Sequence, residues 1–372
     1  MKKSISIVFA LSGLFLLTGC PSDGGDSNIT LGGSSAPAIA YVANQGSNDV
    51  SAYTFNSTTG VLTAVTGAPF SVGTSPTAAA VSSNGAFVYV TNSGGNTLSG
   101  FTVNSITGAL TAVAGSPFAV GTTPSAVTVS PNNAFAIVAN QGTNNVSAYT
   151  INSSTGVLSG VAGSPFAAGT NPAAVAVSPN SSFAYVANGG GNVSAYTIDS
   201  STGVLTAVAG SPFSAGTNSS AVAVSPNGLF ALVTNLGSNN ISVYSINGST
   251  GVLSPVTGSP FTVGTSPTGV AVSPNGSFVY VANQGSNNVS AFTINNTTGA
   301  LTAVAGSPFS AGTSPAGVTV SPNGSFLYVA NGGSNNVSAF TINSSTGVLA
   351  AVTGSPFSAG TTPSGIATPG RP

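Results

Sequence analysis

Charge is what this chain has least of. Its 372 residues include three Lys or Arg, four Asp, no Glu and no His, so charged residues make up only 2%. Without a cluster of basic side chains nothing can neutralise phosphates, which excludes nucleic acid as a partner. Cys20 is the only cysteine, so an internal disulfide is excluded as well. The scarcity of charge does not signal disorder. Disordered chains combine low hydrophobicity with high net charge, whereas here 41% of residues are hydrophobic. A sizeable core is available, and the length admits two domains or one large all-β unit.

The N-terminus reads as an export signal. Lys2 and Lys3 precede a mostly apolar stretch, Ile5 to Leu17, that falls short of the roughly 20 apolar residues needed to span a bilayer. It runs into "LTGC", Leu17 to Cys20, which resembles the lipobox of bacterial lipoproteins. That resemblance implies that Cys20 becomes the new N-terminus and carries acyl chains. Several chains anchor stably where one would be marginal. It also implies an outer-membrane destination, because Pro21 rather than Asp follows the cysteine. The simpler reading is an ordinary signal peptide with an incidental cysteine. Because Cys20 sits where cleavage should fall, residues 1–20 are taken as a lipoprotein signal peptide ending at that cysteine. Residues 21–37, "PSDGGDSNITLGGSSAP", read as a Gly/Ser-rich tether with a span of roughly 20–25 Å.

What remains is one pattern written repeatedly. "FVYVTN", Phe87 to Asn92, has relatives ending at Asn44, Asn140, Asn188, Asn235, Asn283 and Asn331, about 48 residues apart. In the copy starting at Pro267, Val270 and Val272 alternate with small residues, as in a strand packed on one face. "SPNG" supplies a tight turn in which Asn275 and Gly276 can both take positive φ. A second strand runs through Phe278 and Tyr280, a third from Val289 to Ile294 and a fourth from Ala300 to Val304. Four short antiparallel strands at this spacing are the signature of a β-propeller blade. A solenoid is the alternative, but the terminal repeats are split. The folded part opens in a second strand, Ile39 to Asn44, and closes with a first strand, "PSGIAT", Pro363 to Thr368. Paired, these fragments complete one blade, close the ring and remove both open edges. The expected fold is an all-β, seven-bladed propeller over residues 38–368, with 369–372 as a tail.

The "YVTN" of Tyr89 to Asn92, with "SPNG"-like turns before it and "TG.L" after it, resembles the YVTN-repeat and lactonase-like seven-bladed propellers. The likeness spans residues 38–368 and is specific for fold. For function it leaves a choice, because such propellers include lactone hydrolases, surface-layer components and proteins of unknown role.

The residues on offer favour a scaffold. A lactone hydrolase must activate water and stabilise an oxyanion. Between Ala38 and Thr368 there is no Lys, Arg, His, Glu or Cys, and only Asp49 and Asp199 carry charge. Each stands where other repeats have Asn, as at Asn288 and Asn295, so both read as turn residues. The tyrosines fall in strands and read as core, and the Phe of "GSPF" or "GAPF", from Phe70 to Phe357, reads as inter-blade packing. "LTAVAGSPF" recurs unchanged at 110–118, 205–213 and 301–309, whereas a catalytic pocket needs different residues from different blades. The expectation is a binding or structural module without catalytic, cofactor or metal residues. Lipid-anchored at Cys20, it would engage an envelope protein or glycan. A hydrolase similar to 6-phosphogluconolactonase is the alternative. The candidate binding rim is the residue after each motif Asn: Gln45, Ser93, Gln141, Gly189, Leu236, Gln284 and Gly332. Leu236 stands out as an apolar residue in a polar loop.

Overall fold

The computed structural model describes residues 38–369. They form seven antiparallel sheets. In one of these the inner strand is Pro267–Val272, followed outwards by Phe278–Asn283, Asn288–Ile294 and the short outer strand Leu301–Ala303. The two-residue strand Phe309–Ser310 pairs beside the outer one on the third strand. The second strand is buried along its whole length. It is covered on both faces by neighbouring blades, which is why it reads as a near-continuous apolar run. The outer strand buries only Leu301 and is shorter than its sequence promises.

The ring closes as the split repeat requires. Pro363–Ala367 lies against Ile39–Asn44, pairing Tyr41 with Ala367, Val42 with Ile366 and Ala43 with Gly365. The core is divided among the spaces between blades. One cluster joins Phe135, Ile137 and Val146 of one blade to Ala184, Val186 and Leu205 of the next, with Phe166 of the first blade's "GSPF" packed against it. Inner strands crowd the axis. A Cβ built on Gly269 would lie 3.0 Å from the carbonyl oxygen of Ala316 in the adjacent blade, so bulk is excluded there.

The repeated motif has two bonding tasks. Its Asn is fully buried and braces the loop to the third strand: Asn283 Nδ2 donates to Asn288 Oδ1 at 2.8 Å and to Ser290 Oγ at 2.9 Å. Its Tyr reaches into the next blade, where Tyr41 donates to the carbonyl of Gly108 at 2.8 Å. The "SPNG" turn differs from expectation in one respect. Gly276 takes positive φ, but Asn275 does not. Its Oδ1 instead accepts from Ser273 Oγ and from the Ser277 N–H, an Asx-type brace that keeps Asn275 in ordinary backbone space.

Candidate functional site

Where the inner strands turn into the second strands, the propeller axis opens into a cavity of about 910 Å³. Its wall includes the last valine of the inner strands, Val81, Val129, Val177, Val224, Val272 and Val320, and its mouth includes turn prolines such as Pro131 and Pro179. Polar atoms come from Ser83, Thr128, Asn132, Asn180, Ser181 and Thr319.

This end of the molecule is not seven-fold regular. Six turns carry an equivalent asparagine, at 84, 132, 180, 227, 275 and 323, yet only Asn132 and Asn180 line the cavity. After these two the usual glycine is replaced by Asn133 and Ser181, both at φ 59. A side chain other than glycine strains the backbone there, Ser more than Asn. Each strained residue bonds sideways. Asn133 Oδ1 accepts the Ser83 N–H at 2.7 Å, and Ser181 Oγ accepts the Asn132 N–H at 3.1 Å. Three consecutive turns are thereby strapped together along one arc of the mouth.

The cavity is electrically neutral. Among the described residues only Asp49 and Asp199 carry formal charge, and neither lines it. Asp199 is exposed and its Oδ1 accepts from the hydroxyls and N–H groups of Ser201 and Thr202, which hold its carboxyl well below the usual carboxylate range. Asp49 Oδ1 accepts from Asn44 Nδ2 at 2.6 Å, the bond that Asn288 makes in its own blade. Burial pushes the hydroxyls of Tyr41, Tyr89 and Tyr185 far above their ordinary value, so these are core donors rather than bases. No group of three or more His, Cys, Asp or Glu that could hold a metal ion is found among the described residues.

The candidate rim lies at the opposite end of the inner strands. Gln45, Ser93, Gln141, Gly189, Leu236, Gln284 and Gly332 share one bond: each donates its backbone N–H across the rim, as Gln45 does to Thr362 at 2.9 Å and Leu236 to Asn218 at 2.8 Å. Leu236 is half-buried. Among the described residues, the large apolar side chains that do stand exposed are Ile106 and Leu229, in turns on the cavity side. Cys20 falls outside the described residues. Sequence reasoning missed Asn132 and Asn180. The available signal was the departure from "SPNG" in "SPNN", 130–133, and "SPNS", 178–181.

A family model described as "Lactonase, 7-bladed beta-propeller" matches residues 34–167, 207–308 and 303–367. No curated protein sequence matches the chain significantly. Among solved structures, a candidate 6-phosphogluconolactonase of Bacteroides uniformis is 20% identical with a TM-score of 0.78, covering 90% of this chain and 100% of its own. A periplasmic gluconolactonase of Pseudomonas aeruginosa is 19% identical with a TM-score of 0.76, covering 90% and 99%. A Bacteroides fragilis structure, also a candidate 6-phosphogluconolactonase, is 19% identical with a TM-score of 0.75 and the same coverages. The expectation of a non-catalytic binding scaffold, and of no enzyme activity, is overturned by the family match, which favours the lactonase alternative. The error has a physical source. Counting ionisable residues and comparing strands cannot register a neutral cavity whose asymmetry resides in two turns. By the extent of the match, the chain belongs to the lactonase family of seven-bladed β-propellers.

Proposed function

We propose that this protein is a lactonase-type hydrolase whose substrate occupies the axial cavity at the strand-turn end of the ring. The observation that carries the reading is that cavity, about 910 Å³ with apolar walls and a polar arc at its mouth, in a chain of this family. The 6-phosphogluconolactonase and gluconolactonase names of similar structures agree with it. Opening a cyclic ester needs water delivered to the carbonyl carbon, donors for the charge developing on the carbonyl oxygen, and a proton for the ring oxygen. Valine walls suit the ring carbons, and the hydroxyls and carboxamides suit the oxygens. Because no side chain lining the cavity among the described residues ionises near neutral pH, the protein's contribution is orientation and neutral donors, with solvent as the proton carrier. Proton release by the purified protein, measured at constant pH with γ- and δ-lactones including aldonolactones, tests this. Hydrolysis faster than in buffer is expected, and buffer rates for every lactone would overturn it.

We further propose that the enzyme acts in the bacterial cell envelope, exported by residues 1–20 and anchored to the outer membrane by acylation of Cys20. Lys2, Lys3 and "LTGC" support this, as does the periplasmic location in one similar structure's name. Cys20→Ser should abolish labelling by palmitate. Retained labelling would remove the anchor.

A further inference from the structure

We propose that the carboxamide nitrogens of Asn132 and Asn180 form a donor pair for the carbonyl oxygen of an uncharged lactone. This rests on the lactonase reading above and names the groups and substrate class that reading leaves open.

Both side chains are oriented by their turns. Asn132 Oδ1 accepts from Ser130 Oγ at 2.6 Å and from the Ala134 N–H at 3.1 Å. Asn180 Oδ1 accepts from Ser178 Oγ at 2.6 Å and from the Ser182 N–H at 3.1 Å. A backbone N–H can donate only to the amide oxygen, so the bonding fixes which end of each amide is which. The nitrogens, with two N–H donors each, have no acceptor among the described residues and belong to side chains that line the cavity. The equivalent amides elsewhere are spent or placed differently. Asn323 Nδ2 donates to the carbonyl of Ser57 at 3.2 Å and Asn227 Nδ2 to Asn296 Oδ1 at 3.4 Å, while Asn84 and Asn275 do not line the cavity. The bond from the Asn132 N–H to Ser181 Oγ ties the two turns together. Both asparagines are exposed at the mouth, so what they offer a developing oxyanion is donors whose orientation is fixed in advance on a strapped arc.

The substrate class follows from charge. No Lys, Arg or His lies within residues 38–369. Bringing a phosphate dianion against a valine wall without a cation carries a large desolvation cost. The cost for a neutral polyhydroxylated lactone is far smaller, because its hydroxyls can bond to the polar groups of the mouth. In the reaction the oxygen of water attacks the carbonyl carbon, and the carbonyl π electrons move onto the oxygen held by the two amides. Collapse breaks the bond between that carbon and the ring oxygen. The ring oxygen receives the proton that water loses, giving the hydroxy acid and consuming nothing else.

The test uses Asn132→Asp and Asn180→Asp, which keep the turn's acceptor oxygen and replace the donors with a negative charge. Asn275→Asp makes the same change in a turn whose proline lines the cavity but whose asparagine does not. Turnover of an uncharged aldonolactone and of its 6-phosphate is compared, and binding of the corresponding unreactive lactam is measured by calorimetry. The first two variants should lose about 100-fold in kcat and roughly tenfold in lactam affinity, with Asn275→Asp within about twofold of wild type. The uncharged lactone should be preferred, also in Arg371→Ala, which removes the one Lys or Arg of the chain besides Lys2 and Lys3. If all three variants behave alike while turnover persists, the donor pair falls and the hydrolase stands. A preference for the 6-phosphate overturns the substrate class. Asn132-dependent lactam binding without turnover of either lactone removes the hydrolase reading and upholds the donor pair. Failure to bind the lactam overturns the proposal.

Discussion

The hydroxyl of Tyr328 donates to the carbonyl oxygen of Gly60 at 3.1 Å across 268 residues of sequence, bridging the last blade and the first. The same bond joins Tyr89 to Gly156, Tyr185 to Gly251 and Tyr280 to Gly347. Gly60 sits at φ 75, and a Cβ built there would lie 2.4 Å from the ring of Phe326. Phe326 and Tyr328, on one face of one strand, thus both engage the same turn of the neighbouring blade. At two junctions Ile137 and Leu232 hold the tyrosine's place without the bond.

Removing that hydroxyl at the seam leaves a buried carbonyl without its donor. Tyr328→Phe should lower the unfolding free energy by about 1–2 kcal/mol, read as a lower urea midpoint with an unchanged slope. Gly60→Ala should cost more, since it adds both backbone strain and the clash with Phe326. Equal midpoints for wild type and Tyr328→Phe would show that the bond contributes nothing to closure.

A gain of stability is expected at Ala68. In the other six blades the serine before the proline accepts a third-strand N–H at 2.9 Å, as Ser116 does from Gly100 and Ser164 from Ala148. In the first blade Ala68 occupies that position, opposite Ala52. Ala68→Ser should raise stability by about 0.5–1 kcal/mol, measured by thermal or urea unfolding. A loss would mean that the first blade has repacked around the methyl group.

The carboxyl of Asp199 has a depressed folded-state pKa. Its contribution to stability is therefore complete above the unfolded value of about 4 and is lost as pH falls through the folded value. Asp199→Asn restores the turn seen at Asn56, whose Oδ1 accepts the Thr58 and Thr59 N–H groups at 2.9 Å. The variant should melt like wild type at neutral pH and lose less stability than wild type on acidification. Parallel melting curves from pH 2 to 7 decide it, and an identical acid loss in both proteins would contradict the assignment.

The neutral cavity makes a kinetic prediction. With no group lining it that ionises near neutral pH, and with the buried tyrosines pushed far upward, no general base titrates in the usual range. The logarithm of kcat/KM should show no inflection between about pH 5 and 9, and none of the bell shape of acid–base pairs. An inflection near neutrality would point to an ionising group that the cavity lining does not contain.

The fold was legible because every level of the sequence repeats one message. Alternating apolar residues in Val270 and Val272, the "SPNG" turn, the buried run ending at Asn283 and the split first repeat all specify the same blade. The roles of Tyr41 and Asn283 beyond mere burial were not legible, because their partners lie in another blade or across a loop. The site was the least legible part. Asn132 and Asn180 are residues the repeat uses everywhere, and what distinguishes them is the neighbour that follows, Asn133 or Ser181, bonding to an adjacent blade. The rim residues, by contrast, vary visibly in sequence from Gln45 to Gly332. That variation is compatible with the one thing they share, a backbone N–H bond indifferent to side chain.

The pairing of Pro363–Ala367 with Ile39–Asn44 keeps the register of the other blades and is one residue pair shorter, so the ring has no obligatory point at which to be cut. Circular permutation, with the ends linked and the chain opened between Asn227 and Gly228, would preserve every inter-blade junction. The shared register sets a kinetic problem during folding. Seven inner strands of similar sequence can each compete for the exposed edge of Ile39–Asn44, and only one leaves the ring complete. Selection among them falls to connectivity rather than to local complementarity, since any other choice strands a blade without its own inner edge.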